Sequence, residues 1–313
     1  MNKVSLFMNH LPVQMISFHG WVVFPLIILF VEISVSQNRY RFRSALVWLL
    51  LGNFFIWTHI LASPRFTVTF LDVGQGDACV IEDGKHTILV DVDYAGFGKD
   101  YGKRVVLPYL KHKGIDKIDL MIMTHPHAEH IGGLETVLKN ITIREIWDTH
   151  NDFESSVYDR ILAGVELNKS YIRFPDLGDI YQLGEMKLTI LYPDSAIAMS
   201  MKNINNSSIV FRLDYKDHSF LFTGDAEIQA ERILANLDSL LNVDVLKVGH
   251  HGSSTSSIMS MVNHVSPKYA VISVGKNNRY GHPSEKIVKR WVDICAEVFR
   301  SDESGAIIIA VDG

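Results

Sequence analysis

From residue 65 to the C-terminus, short apolar runs alternate with stretches in which apolar residues recur every three or four positions. Short runs bounded by glycine and aspartate are typical of strands, and the wider spacing is typical of amphipathic helices. The pattern predicts strands at residues 66–71, 78–81, 87–90, 118–124, 188–191, 208–213, 220–223, 245–248, 270–274 and 306–311. It predicts helices at residues 104–112, 133–139, 157–167, 226–237, 256–263 and 284–297. This α/β alternation fits two packed sheets covered by helices, although the spacing alone also fits an open doubly wound sheet.

The first 64 residues have a different pattern, with two long apolar runs. The first run is uncharged up to Glu32, and the second is uncharged from Ser44 to Pro64. Because about 20 predominantly apolar residues make a transmembrane helix, spans are expected at residues 12–34 and 44–63. A signal peptide is a weaker interpretation, since no small-residue cleavage site follows the first run. Two buried core helices are the remaining alternative.

The charges around these runs predict how the segment is oriented. The loop between them, residues 37–44, carries three arginines, whereas each outer flank has about one basic residue nearby. The positive-inside rule then places this loop in the cytoplasm and both termini outside. We therefore expect a two-span membrane segment at residues 1–64. The domain at residues 65–313 would lie on the extracellular or periplasmic side of the cell membrane.

Charge is distributed unevenly between these two parts. Residues 1–64 carry a net charge of +3, so the other 249 residues, with 26 basic and 34 acidic side chains, carry −8. An acidic domain argues against a broad basic surface for nucleic acid, so a polyanion would be held by a metal and local cations. Lys99, Lys103 and Arg104 are candidates for such phosphate contacts, although a basic loop is more often simply a solvated surface. The two cysteines exclude a disulfide scaffold and are both expected to be buried thiols.

The segment from Thr124 to His130 concentrates residues that bind metals. It places His125, His127, Glu129 and His130 directly after a predicted buried strand. Side chains at this spacing in a turn can converge on one or two cations, and imidazole and carboxylate are ligands of zinc, manganese and iron. Four such residues together predict a metal site rather than a polar loop with chance histidines.

Polar residues also flank other apolar runs of the domain. They are Asp225 after residues 220–223, His250 and His251 after residues 245–248, and His282 before a predicted helix. Taken alone, Asp225 is equally well explained as a helix N-cap, and His282 as a structural residue. Asp72 and Asp77 lie in a glycine-rich turn and are candidates to orient a ligand histidine. That turn is not a P-loop, because no Gly-Lys-Ser/Thr sequence follows it.

The chain resembles the metallo-β-lactamase superfamily in an ordered series of motifs, namely LDVGQGDA, THPHAEHIGG, NNSS, FTGDAE, LKVGHHGS and YGHP. Within that superfamily it is similar to the C-terminal domain of the ComEC-type DNA-uptake proteins over residues 66–313. The phosphorylcholine esterases of some bacterial surfaces share much of the series. The resemblance implies an αββα sandwich with two divalent metal ions, zinc or manganese, in a groove along one edge of the sheets. It implies no organic cofactor.

The resemblance also implies a role for each motif residue. The implied metal ligands are His125 and His127 for one ion, Glu129 and His130 for the other, Asp225 between the ions, and His250. Supporting contacts to the ligands are implied for Asp77, Asp91 and Asn206. The residues implied in catalysis are Asp225, His282 near the leaving group, and His251 lining the site.

Two positions depart from the superfamily pattern. Glu129 stands where an aspartate is usual, and its extra methylene moves the carboxylate by about 1.5 Å against a ligand tolerance of about 0.2 Å. The second metal is therefore expected to be weakly held or of a different identity. The place of the middle histidine reads Asn205-Asn206-Ser207-Ser208, so Asn205, Asn206 or a water would stand in for that ligand.

The expected reaction is metal-assisted hydrolysis of a phosphodiester. If the ComEC resemblance holds, the substrate is DNA at the outer face of the membrane, and a channel partner is needed because only two spans are expected here. A surface phosphodiesterase acting on a small ester, such as a choline-phosphate group, is the second hypothesis. The third is a non-catalytic metal-binding domain in which Glu129 marks lost activity. Nothing indicates a carboxylate-binding pocket for a β-lactam.

Overall fold

The computed structural model describes residues 5–8, 47–54, 66–96, 99–149, 153 and 155–311. Its strands, in chain order, are β1 Ser5–Met8, β2 Phe66–Phe70, β3 Cys79–Glu82, β4 Thr87–Val90, β5 Ala95–Gly96, β6 Lys99–Asp100, β7 Lys117–Ile122, β8 Thr142–Trp147, β9 Tyr171–Arg173, β10 Ile180–Leu183, β11 Met186–Tyr192, β12 Val210–Tyr215, β13 His218–Phe222, β14 Val245–Lys247, β15 Tyr269–Ile272, β16 Glu297–Arg300 and β17 Ile307–Val311.

From residue 107 onwards, the α-helices are α1 Leu107–His112, α2 Ala128–Ile131, α3 Leu134–Leu138, α4 Ser156–Asn168, α5 Ser195–Ser200, α6 Ile228–Leu234, α7 Met259–Val265, α8 Glu285–Asp293 and α9 Ser301–Ser304. A π-helical turn at Gly102–Val106 leads into α1, and residues 47–54 are also helical. Helices of the 3-10 type lie at Ile204–Ser207, Ala235–Leu241 and Gly249–Gly252.

Two large sheets form the centre of the described chain. The first has the order β1-β17-β2-β3-β4-β7-β8-β9, and the second has the order β10-β11-β12-β13-β14-β15-β16. Both sheets begin as antiparallel meanders and continue as parallel strands, from β4 to β9 in one and from β13 to β16 in the other. Parallel neighbours need crossover connections, which place helices on the outer faces of the sheets.

Three apolar clusters show how the layers pack. The cluster between the sheets joins side chains of both, including Phe66 and Phe70 from one sheet and Phe211 and Phe222 from the other. A second cluster lies between the first sheet and helices α1, α3 and α4. The third lies between the second sheet and helices α6, α7 and α8. The layers are therefore helix, sheet, sheet, helix, so the predicted αββα sandwich is confirmed and the open doubly wound sheet is excluded.

The predicted elements were found wherever an apolar run was long and buried, but seven strands were not predicted, namely β1, β5, β6, β8, β9, β10 and β16. Strands β9 and β10 are edge strands with partly exposed side chains, so they have no continuous apolar run. Strand β8 buries alternate positions and was also not predicted. The helix predicted at residues 284–297 ends at Asp293, and its last residue begins β16 instead. The expectation for the cysteines was half wrong, because Cys79 is buried and Cys295 is exposed.

Most of the predicted membrane segment lies outside the described residues. This holds for the span expected at residues 12–34 and for the span at residues 44–63, apart from the helical residues 47–54. In the part of the chain that is described, no helix has the combined length and hydropathy of a membrane span. Near the N-terminus, β1 pairs antiparallel with β17 at the edge of the first sheet.

Candidate metal centre

The motif residues meet at the edge of the sandwich where the parallel strands end. In the first sheet Val90 is level with Ile122, and in the second sheet Phe222 is level with Lys247. The loops that follow these four strand ends carry the polar motifs. Because the carboxyl ends of parallel strands share one edge, residues far apart in sequence become neighbours there.

Asp225 is the centre of this edge. Its buried Oδ2 atom has four imidazole Nε2 atoms around it, from His130 at 3.2 Å, His251 at 3.7 Å, His250 at 3.8 Å and His125 at 3.9 Å. Burial alone would raise the pKa of Asp225, but the neighbouring histidines, His130 and His251 first, hold that pKa well below its usual range. Asp225 is thus an ionised carboxylate in a ring of imidazoles.

Four of the buried side chains are close enough to share a cation. Asp77, His130, Asp225 and His251 each offer one ligand atom, and these atoms lie within 4.8 Å of one another. Among the residues that the structure describes, Asp77 Oδ1, Asp225 Oδ1 and His251 Nε2 have no hydrogen-bond partner. Buried polar atoms without partners are costly, and oxygen and imidazole donors are what a divalent metal accepts. The residues present therefore fit a metal ion.

Hydrogen bonds from Nδ1 orient three of the histidines. His130 donates from Nδ1 to Asp91 Oδ2 at 2.8 Å, His251 to the Ser273 carbonyl oxygen at 2.9 Å, and His250 to Glu227 Oε1 at 2.9 Å. An imidazole that donates from Nδ1 presents its Nε2 lone pair on the opposite side of the ring. All three Nε2 atoms are thereby directed at Asp225, as metal ligands require.

Asp91, for which the resemblance implied a supporting contact, contacts both His130 and Thr124. Its carboxylate also accepts from the Thr124 backbone N–H at 2.9 Å and from the Thr124 hydroxyl at 2.7 Å. Burial works to lower the pKa of His130, yet the carboxylates of Asp225 and Asp91 raise it well above its usual range. Asp225 and Asp91 thus favour a positive charge on His130. A metal cation bound by its Nε2 atom would supply that charge in place of a proton.

Asp77 and His251 lie closer to the centre than the motif comparison implied. Asp77, expected as a supporting residue, belongs to the buried group of four, and so does His251, expected to line the site. His250, the implied ligand, is less buried and hydrogen-bonds to Glu227. Both histidines lie at positive φ, 49° for His250 and 52° for His251, which turns the backbone tightly enough to direct both rings inward.

Lys247 was not identified from the sequence. Its ammonium donates to Asp77 Oδ2 and, at 3.3 Å, to the carbonyl oxygen of Gly224. Although burial lowers the pKa of this lysine, the Asp77 carboxylate raises it above its usual value, so the pair is ionic. The signal in the sequence was a single lysine inside the apolar run at residues 245–248.

The remaining predicted residues surround this centre at different distances. His127 is half-buried, with Nδ1 3.1 Å from His125 Nε2, and the His282 ring lies 5.5 Å from that of His250. Within the described residues Glu129 makes no ion pair and does not join the group of four. The ligand roles given to His127 and Glu129 stay predictions.

The two asparagines contact a helix and its cap rather than the histidine rings. Asn206 Oδ1 accepts from the backbone N–H groups of Glu227 and Ala230, both at 3.1 Å, and so caps α6. Asn205 Nδ2 donates to Glu227 Oε1 at 3.1 Å, and Glu227 in turn holds His250. Glu227 was also missed by sequence reasoning, although it ends the motif FTGDAE.

Asp93 is a further buried carboxylate near the site that was not predicted. Burial raises its pKa well above the usual range, although a hydrogen bond from the Tyr94 backbone N–H acts to lower it. A Cβ atom on Gly76 would lie 2.0 Å from Asp93 Oδ1, so the turn LDVGQGDA needs glycine at this position.

Comparison with known proteins agrees with this geometry. The family model of the metallo-beta-lactamase superfamily matches residues 71–193 and 199–276. ComE operon protein 3 of Bacillus subtilis (strain 168) is 29% identical over 267 residues, which are 81% of this chain and 34% of that protein. Recombination protein 2 of Haemophilus influenzae is 32% identical over 230 residues, 74% of this chain and 27% of that protein.

The chain therefore spans about a third, or less, of the length of these curated relatives. Among solved structures, the metallo-beta-lactamase fold protein YhfI from Bacillus subtilis superposes with a TM-score of 0.52 at 11% identity, covering 77% of this chain and 98% of that one. At this low identity the likeness concerns the fold alone. The relatives confirm the resemblance to ComEC-type proteins.

Proposed function

This chain belongs to the metallo-β-lactamase superfamily, and on that basis we propose that it is a membrane-tethered phosphodiesterase that cleaves DNA during DNA uptake. The family match and the relatives indicate a metal-dependent hydrolase of this fold that is related to ComEC-type competence proteins. DNA as the substrate is supported by the names of the relatives, one of which is a recombination protein.

The observation that carries the proposal is the position of Asp225 within 3.9 Å of four imidazole Nε2 atoms. Carboxylate and imidazole are ligands of zinc and manganese, so Asp225 and these histidines would hold divalent cations. Asp77, His130, Asp225 and His251 would hold one ion. His125 and His127, whose ring nitrogens are 3.1 Å apart, would hold the other together with Asp225.

Divalent cations in such a site lower the pKa of water and neutralise the charge of a phosphoryl group. The protein's own contribution is to fix the histidine rings through Asp91, Ser273 and Glu227. Burial, and then the nearby His250 and His251, lower the pKa of His282. At neutral pH its imidazole is therefore predominantly neutral, and it would offer an N–H hydrogen bond to the leaving oxygen.

Membrane tethering is supported by the short helix at residues 47–54. This helix exposes five large apolar side chains, Val47, Leu49, Leu50, Leu51 and Phe54. A helix that is apolar on several faces needs lipid or protein around it. A channel partner is part of the proposal, because the two expected spans are too few to line a pore for DNA.

The test uses the full chain purified in detergent and incubated with end-labelled single-stranded DNA and zinc or manganese. We expect metal-dependent cleavage and close to two bound cations per chain. Asp225→Asn and His127→Ala should each lower the cleavage rate by more than about 100-fold, since even residues that only support a metal ligand are worth 10–100-fold. Asp238→Asn is the matched control, because this carboxylate is exposed and remote from the strand ends.

Three outcomes would contradict the proposal. Cleavage that survives chelation or Asp225→Asn would exclude this site as the source of activity. Hydrolysis of a choline-phosphate ester without DNA cleavage by the metal-loaded chain would favour the surface phosphodiesterase. The absence of both activities, with one metal or none bound, would favour a non-catalytic metal-binding domain.

A further inference from the structure

A line of rings leads from the metal centre to the protein surface. The His250 ring, with Nε2 3.8 Å from Asp225 Oδ2, lies 5.5 Å from the ring of His282. The ring of Tyr280 follows at 5.9 Å from His282, with an angle of 16° between the two planes. Tyr280 is 51% exposed, so the line ends in an aromatic side chain that solvent reaches beside the site.

The stacking between Tyr280 and His282 is offset. Rings in direct face-to-face contact would have centroids much closer than 5.9 Å, so much of the Tyr280 ring is not covered by His282. The exposed part of the Tyr280 ring is open to a planar group that stacks on it. The planar partner must be able to approach from solvent.

Arg279 gives this aromatic surface a positive charge. Its guanidinium carbon lies 4.9 Å from the centroid of the Tyr280 ring, and its Nη2 donates to the tyrosine hydroxyl at 2.8 Å. Arg279 is exposed, and it makes no ion pair with any carboxylate in the described part of the chain. In a domain with a net charge of −8, this cation beside the metal centre is available for a phosphate or for a base.

The loop that carries these residues is held in place before any ligand arrives. Asn278 donates from Nδ2 to the carbonyl oxygens of Gly275 at 3.0 Å and His282 at 2.6 Å. Its Oδ1 accepts from the backbone N–H groups of Tyr280 and His282, both at 3.1 Å. One partly buried amide thus ties the loop together, so ligand binding at Tyr280 would cost little ordering of the backbone.

Resting on the function proposed above, we propose that Arg279 and Tyr280 form a stacking site for a nucleobase of single-stranded DNA, next to the scissile phosphodiester. Aromatic rings and guanidinium planes both stack on bases, and they do so without selecting one base. The bases of a duplex are already stacked inside it. This surface therefore favours single-stranded over double-stranded substrate.

The same surface is a poor site for a choline group. A quaternary ammonium binds to aromatic faces through its positive charge. On Tyr280 that charge would meet the guanidinium of Arg279, which already lies over the ring. A neutral planar base has no such conflict with Arg279, and its phosphates are attracted by it.

The experiment measures binding of a labelled single-stranded oligonucleotide to the zinc-loaded full chain by fluorescence anisotropy. Phosphorothioate linkages keep the oligonucleotide uncleaved, and a second oligonucleotide has abasic residues in its centre. We expect the natural chain to bind the complete oligonucleotide about tenfold more tightly than the abasic one, which corresponds to about 1.4 kcal/mol. Tyr280→Ala should abolish this preference, and Tyr280→Trp should keep it.

Tyr171→Ala is the matched control, because Tyr171 is 63% exposed and belongs to β9, an edge strand of the first sheet, whereas Tyr280 follows β15 of the second sheet. The inference is overturned if the natural chain shows no preference for bases, if Tyr280→Ala retains the preference, or if Tyr171→Ala loses it too. Base-dependent binding without cleavage would refute the proposed function and support the stacking site. Cleavage without base-dependent binding would support the proposed function and refute the stacking site.

Discussion

Individual buried charges set the character of the metal centre. Asp77 and Asp225 both offer oxygen atoms to it, but only Asp77 has a lysine partner, Lys247. Removal of one member of a buried ion pair leaves the other charge uncompensated, which typically costs about 3–5 kcal/mol. Lys247 therefore holds the Asp77 side chain in position, and its positive charge lies beside the oxygen atoms that the two carboxylates present to a cation.

Another buried carboxylate, Glu231, lies behind the site and makes stability depend on pH. Its Oε1 accepts from the Ser257 N–H at 2.6 Å and its Oε2 from the Ile258 N–H at 2.7 Å, at the start of α7. Burial raises the pKa of Glu231 from 4.5 to about 7, despite these hydrogen bonds. A carboxyl group whose pKa is higher in the folded state stabilises the fold at low pH, and that stabilisation is lost as pH rises towards 7.

Glu231→Gln should remove this pH dependence. The contribution of Glu231 to the free energy of unfolding is expected to fall by about 3 kcal/mol between pH 4.5 and 7, at about 1.36 kcal/mol per pKa unit. The glutamine variant cannot ionise, so its denaturation curves should shift less over that range. Urea titrations at several pH values measure the difference. An unchanged pH profile in the variant would show that Glu231 does not titrate as described.

At the scale of elements, the loops of the site are packed backbone against backbone. The π-helical turn at Gly102–Val106 meets the segment between α2 and α3 at Gly133. A Cβ atom on Gly133 would lie 2.7 Å from the Gly102 nitrogen and 2.7 Å from the Val92 carbonyl oxygen. This close approach connects the loop after β4 to the helix that carries His130.

Gly133→Ala should therefore be strongly destabilising, because backbone atoms cannot move aside as a side chain can. We expect a loss of at least about 2 kcal/mol and weaker metal binding, since overpacking of a rigid contact costs about 1–3 kcal/mol. Thermal unfolding with and without added zinc measures both effects.

Gly164→Ala is the matched control for that variant. It lies in α4, and its added Cβ would meet only the Leu138 side chain, at 3.2 Å for Cδ1. There the gain in helix propensity, up to about 1 kcal/mol, should roughly offset the tight contact. Equal effects of the two substitutions would contradict the argument from backbone contact.

At the scale of the whole molecule, the first sheet restricts how the N-terminal segment is threaded. Strands β1 and β2 flank β17 in that sheet, so residues 5–8 and residues 66–70 lie on the same side of any membrane. A chain that leaves one side and returns to it crosses an even number of times. Two spans, or none, satisfy this condition, so the two spans expected from the sequence stay a prediction.

An alkaline phosphatase reporter fused after Gly313 tests the orientation of the domain. The enzyme folds only outside the reducing cytoplasm, so the predicted topology gives an active fusion. A fusion within residues 37–44 should be inactive, because that loop is expected in the cytoplasm. The reverse pattern of activities would place the catalytic domain inside the cell and exclude it from acting on incoming DNA at the outer face.

The sequence determined the elements and residue chemistry that depend on local order. Strands β4, β7 and β13 were predictable because they are buried on both faces and therefore read as continuous apolar runs. The metal-binding residues after β7 were also evident, because four of them lie within six positions, from His125 to His130. Edge strands such as β9 and β10 gave no such signal, since exposed positions tolerate any residue.

Only the tertiary structure decided which of these groups share the metal centre. Asp77 and Lys247 are 170 residues apart, and their pairing depends on how the two sheets align. The positions of His250 and His251 depend on positive φ angles and on a carbonyl oxygen of Ser273, which no side-chain pattern reveals. The physical reason is that local sequence sets the spacing of apolar residues and the chemistry of each side chain. A shared buried pocket instead arises from contacts between segments that are distant in sequence, and charge complementarity there determines which side chains pair.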